Sequence, residues 1–210
     1  MQELEEHRRQ QAAIERKQRK ILGKIGYSEP QKLTDTLQGS IWRAYQNSTK
    51  GNVVIKITNR KLSNANTTIL NGLEYRVEEN IKQEQAILKY LTSNEKCVNS
   101  IVKFNDFVKS NVNYYLVMED GGTSLFDFVS QVHNYVDDGQ IEYKEWINLC
   151  KTLFKQMIEA VEYIHSQSIC HFDISLENFL ISDIECEMHN DKLQFCQDSK
   201  PQVKLCDFGL

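Results

Sequence analysis

The chain has 210 residues, 40% of them hydrophobic and 26% charged, with a formal net charge of −4. That balance is ordinary for a globular protein, and its mild acidity excludes a dedicated nucleic-acid binder, which needs clustered Lys and Arg to neutralise phosphates. No run of about 18 apolar residues occurs, and the start Met1 to Glu6 lacks the basic-then-apolar order of a secretion signal.

The prediction is therefore a cytoplasmic chain without a membrane span. The six cysteines, Cys97, Cys150, Cys170, Cys186, Cys196 and Cys206, are scattered without short paired spacing and read as free thiols of a reducing compartment.

Residues 1–26 are rich in Glu, Gln, Arg and Lys and predict an exposed helix ending near Gly23 or Gly26. Leu4, Ile14, Ile21, Leu22 and Ile25 are too sparse for sustained heptads. The segment reads as a solvated extension or as a docking helix for a partner, and its basic residues from Arg8 to Lys24 would attract an anionic surface.

From residue 33 the character becomes strand-like. Ile41 to Tyr45 and Val53 to Ile57 flank the turn-forming Asn47 to Asn52, as antiparallel strands would. Ser63 to Gly72 reads as a polar loop, and Tyr75, Val77, Ile81, Ile87, Leu88 and Leu91 predict a helix ending near Leu91. Ile101 to Phe107 and Tyr114 to Met118 follow as strands.

After the break at Gly121-Gly122 the pattern is mainly helical, over Leu125 to Val132 and Lys144 to His165. The polar stretch 182–202, between the apolar Phe179 to Ile181 and Val203 to Leu205, reads as a hairpin insertion. Cys186, His189 and Cys196 within it have poor spacing for zinc.

Four pieces that mean little singly occur in a telling order: Lys56 after three apolar residues, Glu84 on a helix, Asp173 five residues before Asn178, and Asp207-Phe208-Gly209. Through His171 to Asn178 and Leu205 to Gly209, preceded by Tyr163-Ile164-His165-Ser166, the chain resembles the protein kinase superfamily over about residues 33–210. The resemblance implies an α+β, bilobal fold, with an antiparallel β-rich N-lobe over 33–118 and a partial helical C-lobe over 119–210.

It further implies transfer of the ATP γ-phosphate to a protein substrate. Lys56 would contact phosphates, held by an ion pair with Glu84, or less favourably with Glu78 or Glu79. Asp173 would take the substrate hydroxyl proton, while Asn178 and Asp207 would hold Mg2+. Ala44 and Val54 would lie above the adenine and Leu180 below it, with Met118 guarding the back pocket and Glu119 to Gly121 forming the hinge. Leu88, Phe104, His171 and Phe208 would stack into the family's internal hydrophobic column.

Three departures stand out. The phosphate-covering loop aligns as Leu37-Gln38-Gly39-Ser40-Ile41-Trp42 and keeps only Gly39, so Leu37 and Trp42 are expected to hinder or reshape phosphate contact. Phe172 replaces an Arg that pairs with activation-loop phosphate, so activity is expected without that modification. Ser175 stands where serine/threonine kinases place a Lys, which removes one charge from the transition state, and Ile174 to Glu177 does not follow the tyrosine-kinase pattern.

Serine/threonine specificity is the default reading. Because the sequence ends at Leu210, Leu149, Leu153, Phe154, Met157, Val161 and Ile164 are not all expected to be covered. The alternatives are a nucleotide-binding pseudokinase and a structural or interaction module on a truncated kinase fold.

Overall fold

The computed structural model describes residues 2–93, 99–184, 186–189, 192–196 and 200–210, without the side chains of 2–4, 7–8, 186–189 and 192–194. Cys97 and the side chains of Cys186 and His189 therefore lie outside the described residues. The chain divides into two compact units, Met1–Ile81 with Asn105–Asp120, and Lys82–Phe104 with Gly121–Leu210.

The first unit opens on α1 (Gln2–Lys24), rich in strong helix formers. It stops where Gly26, at φ +97°, adopts a backbone that side-chain-bearing residues resist. Strand β1 then begins at Tyr27, earlier than the sequence predicts. β1 (Tyr27–Thr36), β2 (Gly39–Gln46) and β3 (Gly51–Asn59) lead to α2 (Arg60–Ala65) and the hairpin β4 (Thr67–Leu70)–β5 (Leu73–Arg76).

This hairpin corrects the reading of Ser63 to Gly72 as a loop and of Tyr75 as helical. Leu70 pairs with Leu73 around Asn71-Gly72, both at positive φ, the two-residue turn that matches strand twist. Helix α3 (Ile81–Thr92) starts only after it.

β6 (Phe104–Lys109) and β7 (Asn113–Glu119) complete an antiparallel sheet in the order β1-β2-β3-β7-β6. Its two faces differ in kind. Trp42, Ala44, Val53, Ile55, Ile57, Tyr115 and Val117 form one core cluster with Tyr27 and with Leu22 of α1.

The end of α1 is thus built into the core rather than left as a solvated extension. Arg19 fixes it further, donating from Nη1 to the Pro30 carbonyl at 2.6 Å and lying 5.6 Å from the Trp42 ring centre. The opposite face carries the row Ile41, Lys56 and Leu116 and the row Arg43, Val54 and Met118, by direct cross-strand pairing.

In the second unit, β8 (Thr123–Ser124) leads into α4 (Leu125–Asp137), whose N-cap Ser124 accepts from the Asp127 amide. Helix α5 (Tyr143–Ser166) follows, then a short 3-10 turn over Leu176–Asn178 and β9 (Phe179–Ser182). β10 (Cys186–His189) and β11 (Lys192–Phe195) pair antiparallel, and β12 (Gln202–Leu205) returns beside β9.

Ile101, predicted in a strand, makes an isolated parallel bridge to Leu205 instead. On α5, Leu153 and Ile164 are buried, but Phe154 is 61% and Ile158 51% exposed. With Met157, Val161 and Ile174 these two line an apolar groove of about 790 Å³.

Candidate active site

Each unit brings its own share of the predicted site residues together. In the first, Lys56 on β3 sits among apolar strand neighbours and is buried, so its ammonium needs a partner. Glu79, in the segment between β5 and α3, supplies one, with Oε1 3.1 Å from Lys56 Nζ. Glu84 lies on α3 in the other unit, is itself buried and is not without a polar partner.

The β2–β3 register decides which side chains share a face with Lys56. Gln46 pairs with Gly51 across a tight turn, which puts Ala44 opposite Val53 and Arg43 opposite Val54. Ala44 therefore points to the helix-covered face and not to the face of Val54, which corrects the expectation that the two lie together over a base. Arg43 occupies that place, gripping Asp120 with Nε 2.6 Å from Oδ2 and Nη2 3.1 Å from Oδ1. The signal was available, because the length of the turn sets the parity of the register.

Met118 shares the Val54 row, and Glu119, the next residue on β7, pairs with Val53. The same register turns Trp42 away from the Lys56 face. It is 1% exposed, and its indole N–H donates to Ser40 Oγ at 2.8 Å. Gly39 also has a local reason to be glycine, since a Cβ there would meet the Ile57 carbonyl oxygen at 1.9 Å.

In the second unit the segment 171–178 folds on its own hydrogen bonds. His171 Nδ1 accepts from the Asp173 amide at 3.3 Å, which leaves Nε2 as the protonated nitrogen donating to the Cys206 carbonyl at 2.8 Å. Asn178 Nδ2 donates to both the carbonyl and the Oδ2 of Asp173, each at 2.9 Å. The Asn178 carbonyl accepts from the Cys206 amide at 2.9 Å.

Asp173, Asn178 and the strand end that delivers Asp207 thus belong to one network. Asp207 follows directly at φ +63°, and Phe208 is buried with its ring 4.8 Å from that of His171. Leu88 is buried and Phe104 half-buried. Gly121 packs so closely on Leu180 that a Cβ would lie 2.7 Å from its Cδ1.

The donor set fits a hard cation only in part. Among the described residues no cluster of three His, Cys, Asp or Glu could hold a metal alone. Asn178 commits its nitrogen to Asp173 and keeps Oδ1 available, and Asp207 adds a carboxylate. Two protein oxygens suit Mg2+, which binds through one or two such groups plus substrate phosphates.

The profile described as "Protein kinase domain" matches residues 27–210. Over 159 residues the chain is 28% identical to a probable serine/threonine-protein kinase KIN1 homolog of Encephalitozoon cuniculi, covering 75% of this chain and 22% of that protein. It is 29% identical over 136 residues to the serine/threonine-protein kinase SRK2J of Arabidopsis thaliana, covering 64% and 32%. To the carbon catabolite-derepressing protein kinase of Candida albicans it is 29% identical over 172 residues, covering 82% and 21%. The chain thus spans between 21% and 32% of these three relatives' lengths.

Proposed function

Since the chain belongs to the protein kinase family, matched over residues 27–210, we propose that the protein transfers the γ-phosphoryl group of ATP to serine and threonine hydroxyls of protein substrates. The observation that carries this reading is the double donation from Asn178 Nδ2 to Asp173. It holds the carboxylate and the amide in one fixed arrangement, as positioned acid–base chemistry requires.

Asp173 accepts the hydroxyl proton as the hydroxyl oxygen bonds to the γ-phosphorus. The bond from that phosphorus to the β–γ bridging oxygen breaks, and ADP leaves. Lys56 contacts the ATP phosphates, with Glu79 or Glu84 as the carboxylate that steadies it. Asn178 and Asp207 would hold Mg2+, which supplies charge neutralisation at the phosphate oxygens. Val54, Met118 and Leu180 offer apolar contact to the base, and Glu119 to Gly121 its backbone hydrogen bonds.

The organisation proposed with this function is a helical extension to residue 26, a first lobe over 33–118, and a second over 119–210 that carries the insertion at about 182–202. Among the described residues no helix is long and apolar enough to cross a membrane, and the proposed setting is the cytoplasm. α1 remains the proposed docking element for a partner, through basic residues such as Arg16, Lys17 and Lys20 that lie exposed.

The pseudokinase reading draws on Trp42 in the phosphate-covering loop and on Ser175; the burial of Trp42 in one core cluster with Leu22 weakens the first of these, and the second stands. Mg-ATP binding and ADP formation by the full-length protein, beside Lys56→Met and Asp173→Asn, test the proposal. It predicts that Lys56→Met weakens binding and that Asp173→Asn binds but does not turn over. Turnover unaffected by Asp173→Asn would overturn it.

A further inference from the structure

The turn between β1 and β2 is tied down at two consecutive residues. Gln38, 4% exposed, donates from Nε2 to the Thr67 carbonyl at 2.8 Å, and its own carbonyl accepts from the Asn59 amide at 2.8 Å. Thr68, 2% exposed, donates its hydroxyl to the Leu37 carbonyl. Asn59 ends β3, whereas Thr67 and Thr68 belong to the β4–β5 hairpin, which the chain reaches through α2. The Asn59 side chain caps that helix by accepting from the Lys61 and Leu62 amides, and Asn66 ends it at φ 53°. The Val77 amide donating to the Asn66 carbonyl at 2.8 Å then closes the base of the hairpin.

A turn that must close over phosphates ordinarily relies on glycines to move and to approach. Here two non-glycine residues are held by buried polar bonds, each expensive to leave unmade. We propose that Gln38, Thr67 and Thr68 form an intramolecular clamp that presets the β1–β2 turn for nucleotide, so that Gln38 and Thr68 are positioning residues for ATP. The inference rests on the reading of this turn as the phosphate cover.

The clamp offsets the missing glycines, because the ordering cost is met on folding instead of on binding. Arg43 and Lys56, on the same sheet face as the strands leave the turn, then meet the nucleotide against a fixed edge.

The test is hydrogen exchange of a peptide spanning 35–41, together with ATP KM and kcat, in the full-length protein and two variants. Thr68→Val keeps the shape and loses the hydroxyl, whereas Thr68→Ser keeps the hydroxyl. The expected result for Thr68→Val is exchange faster by about tenfold, a KM for ATP raised about three- to tenfold and an unchanged kcat. Thr68→Ser should stay at the parent values.

Unchanged exchange in Thr68→Val overturns the clamp, and faster exchange with an unmoved KM overturns the positioning role. Thr68→Ser matching Thr68→Val overturns the hydroxyl as its basis. A parent protein that turns over no ATP sinks the proposed function and the positioning role together. Unchanged exchange in an active parent sinks the clamp alone.

Discussion

Lys56 Nζ lies 3.1 Å from Glu79 Oε1, with the lysine side chain 6% exposed and the glutamate 26%. A cation so deeply placed depends on its carboxylate, so the pair should be energetically coupled. A double-mutant cycle of Lys56→Met and Glu79→Gln, read by urea unfolding, should give a coupling of about 1 kcal/mol. Strict additivity would mean that Glu79 is only a neighbour.

Trp42 packs with Leu22 of α1 in the core cluster. Restoring the loop glycine by Trp42→Gly should therefore destabilise the protein, by about 3–5 kcal/mol, rather than improve nucleotide binding. Leu22→Ala should cost about 2–5 kcal/mol. Both are read from denaturant midpoints at constant slope. A stable Trp42→Gly protein with tighter ATP binding would show that the indole does obstruct the phosphates.

Phe172 is 78% exposed and at φ 69°. An apolar ring in that place offers no charge to a phosphorylated loop. Phosphatase-treated full-length protein should retain its activity within about twofold, since no charge-assisted pair is lost. Complete loss of activity on dephosphorylation would contradict this.

Cys150 is half-buried, and burial pushes its thiol above the usual range, whereas Cys170 is exposed. The thiolate is the reactive form. At pH 8 a maleimide should label Cys170 well before Cys150, as followed by peptide mass spectrometry, and raising the pH should narrow the gap. Equal rates at pH 8 would place Cys150 at the surface.

The order Lys56, Asp173, Asn178, Asp207 was legible in the sequence because the chemistry of the 171–178 segment is local. His171, Asp173 and Asn178 bond within seven positions of one another. What was missed depends on pairing across the chain. The face of Ala44 is set by the Gln46–Gly51 turn, and one step of register moves a side chain to the other side.

The fate of α1 rests on Leu22 and Ile21, too few apolar residues to announce a buried helix by periodicity. The β4–β5 hairpin did leave a signal in Asn71-Gly72. Its exposed side chains, Ile69, Leu70, Leu73 and Tyr75, gave no inward-facing alternation to support it.

In the proposed function, Asp173 and its network drive phosphoryl transfer to serine and threonine. The most direct measurement is mass spectrometry of a peptide mixture incubated with Mg-ATP and the full-length protein or its Asp173→Asn variant. The expected result is phosphoserine and phosphothreonine with the parent protein and a rate lower by about 10²- to 10⁴-fold with the variant. Equal phosphorylation by both, or phosphotyrosine as the product, would contradict it.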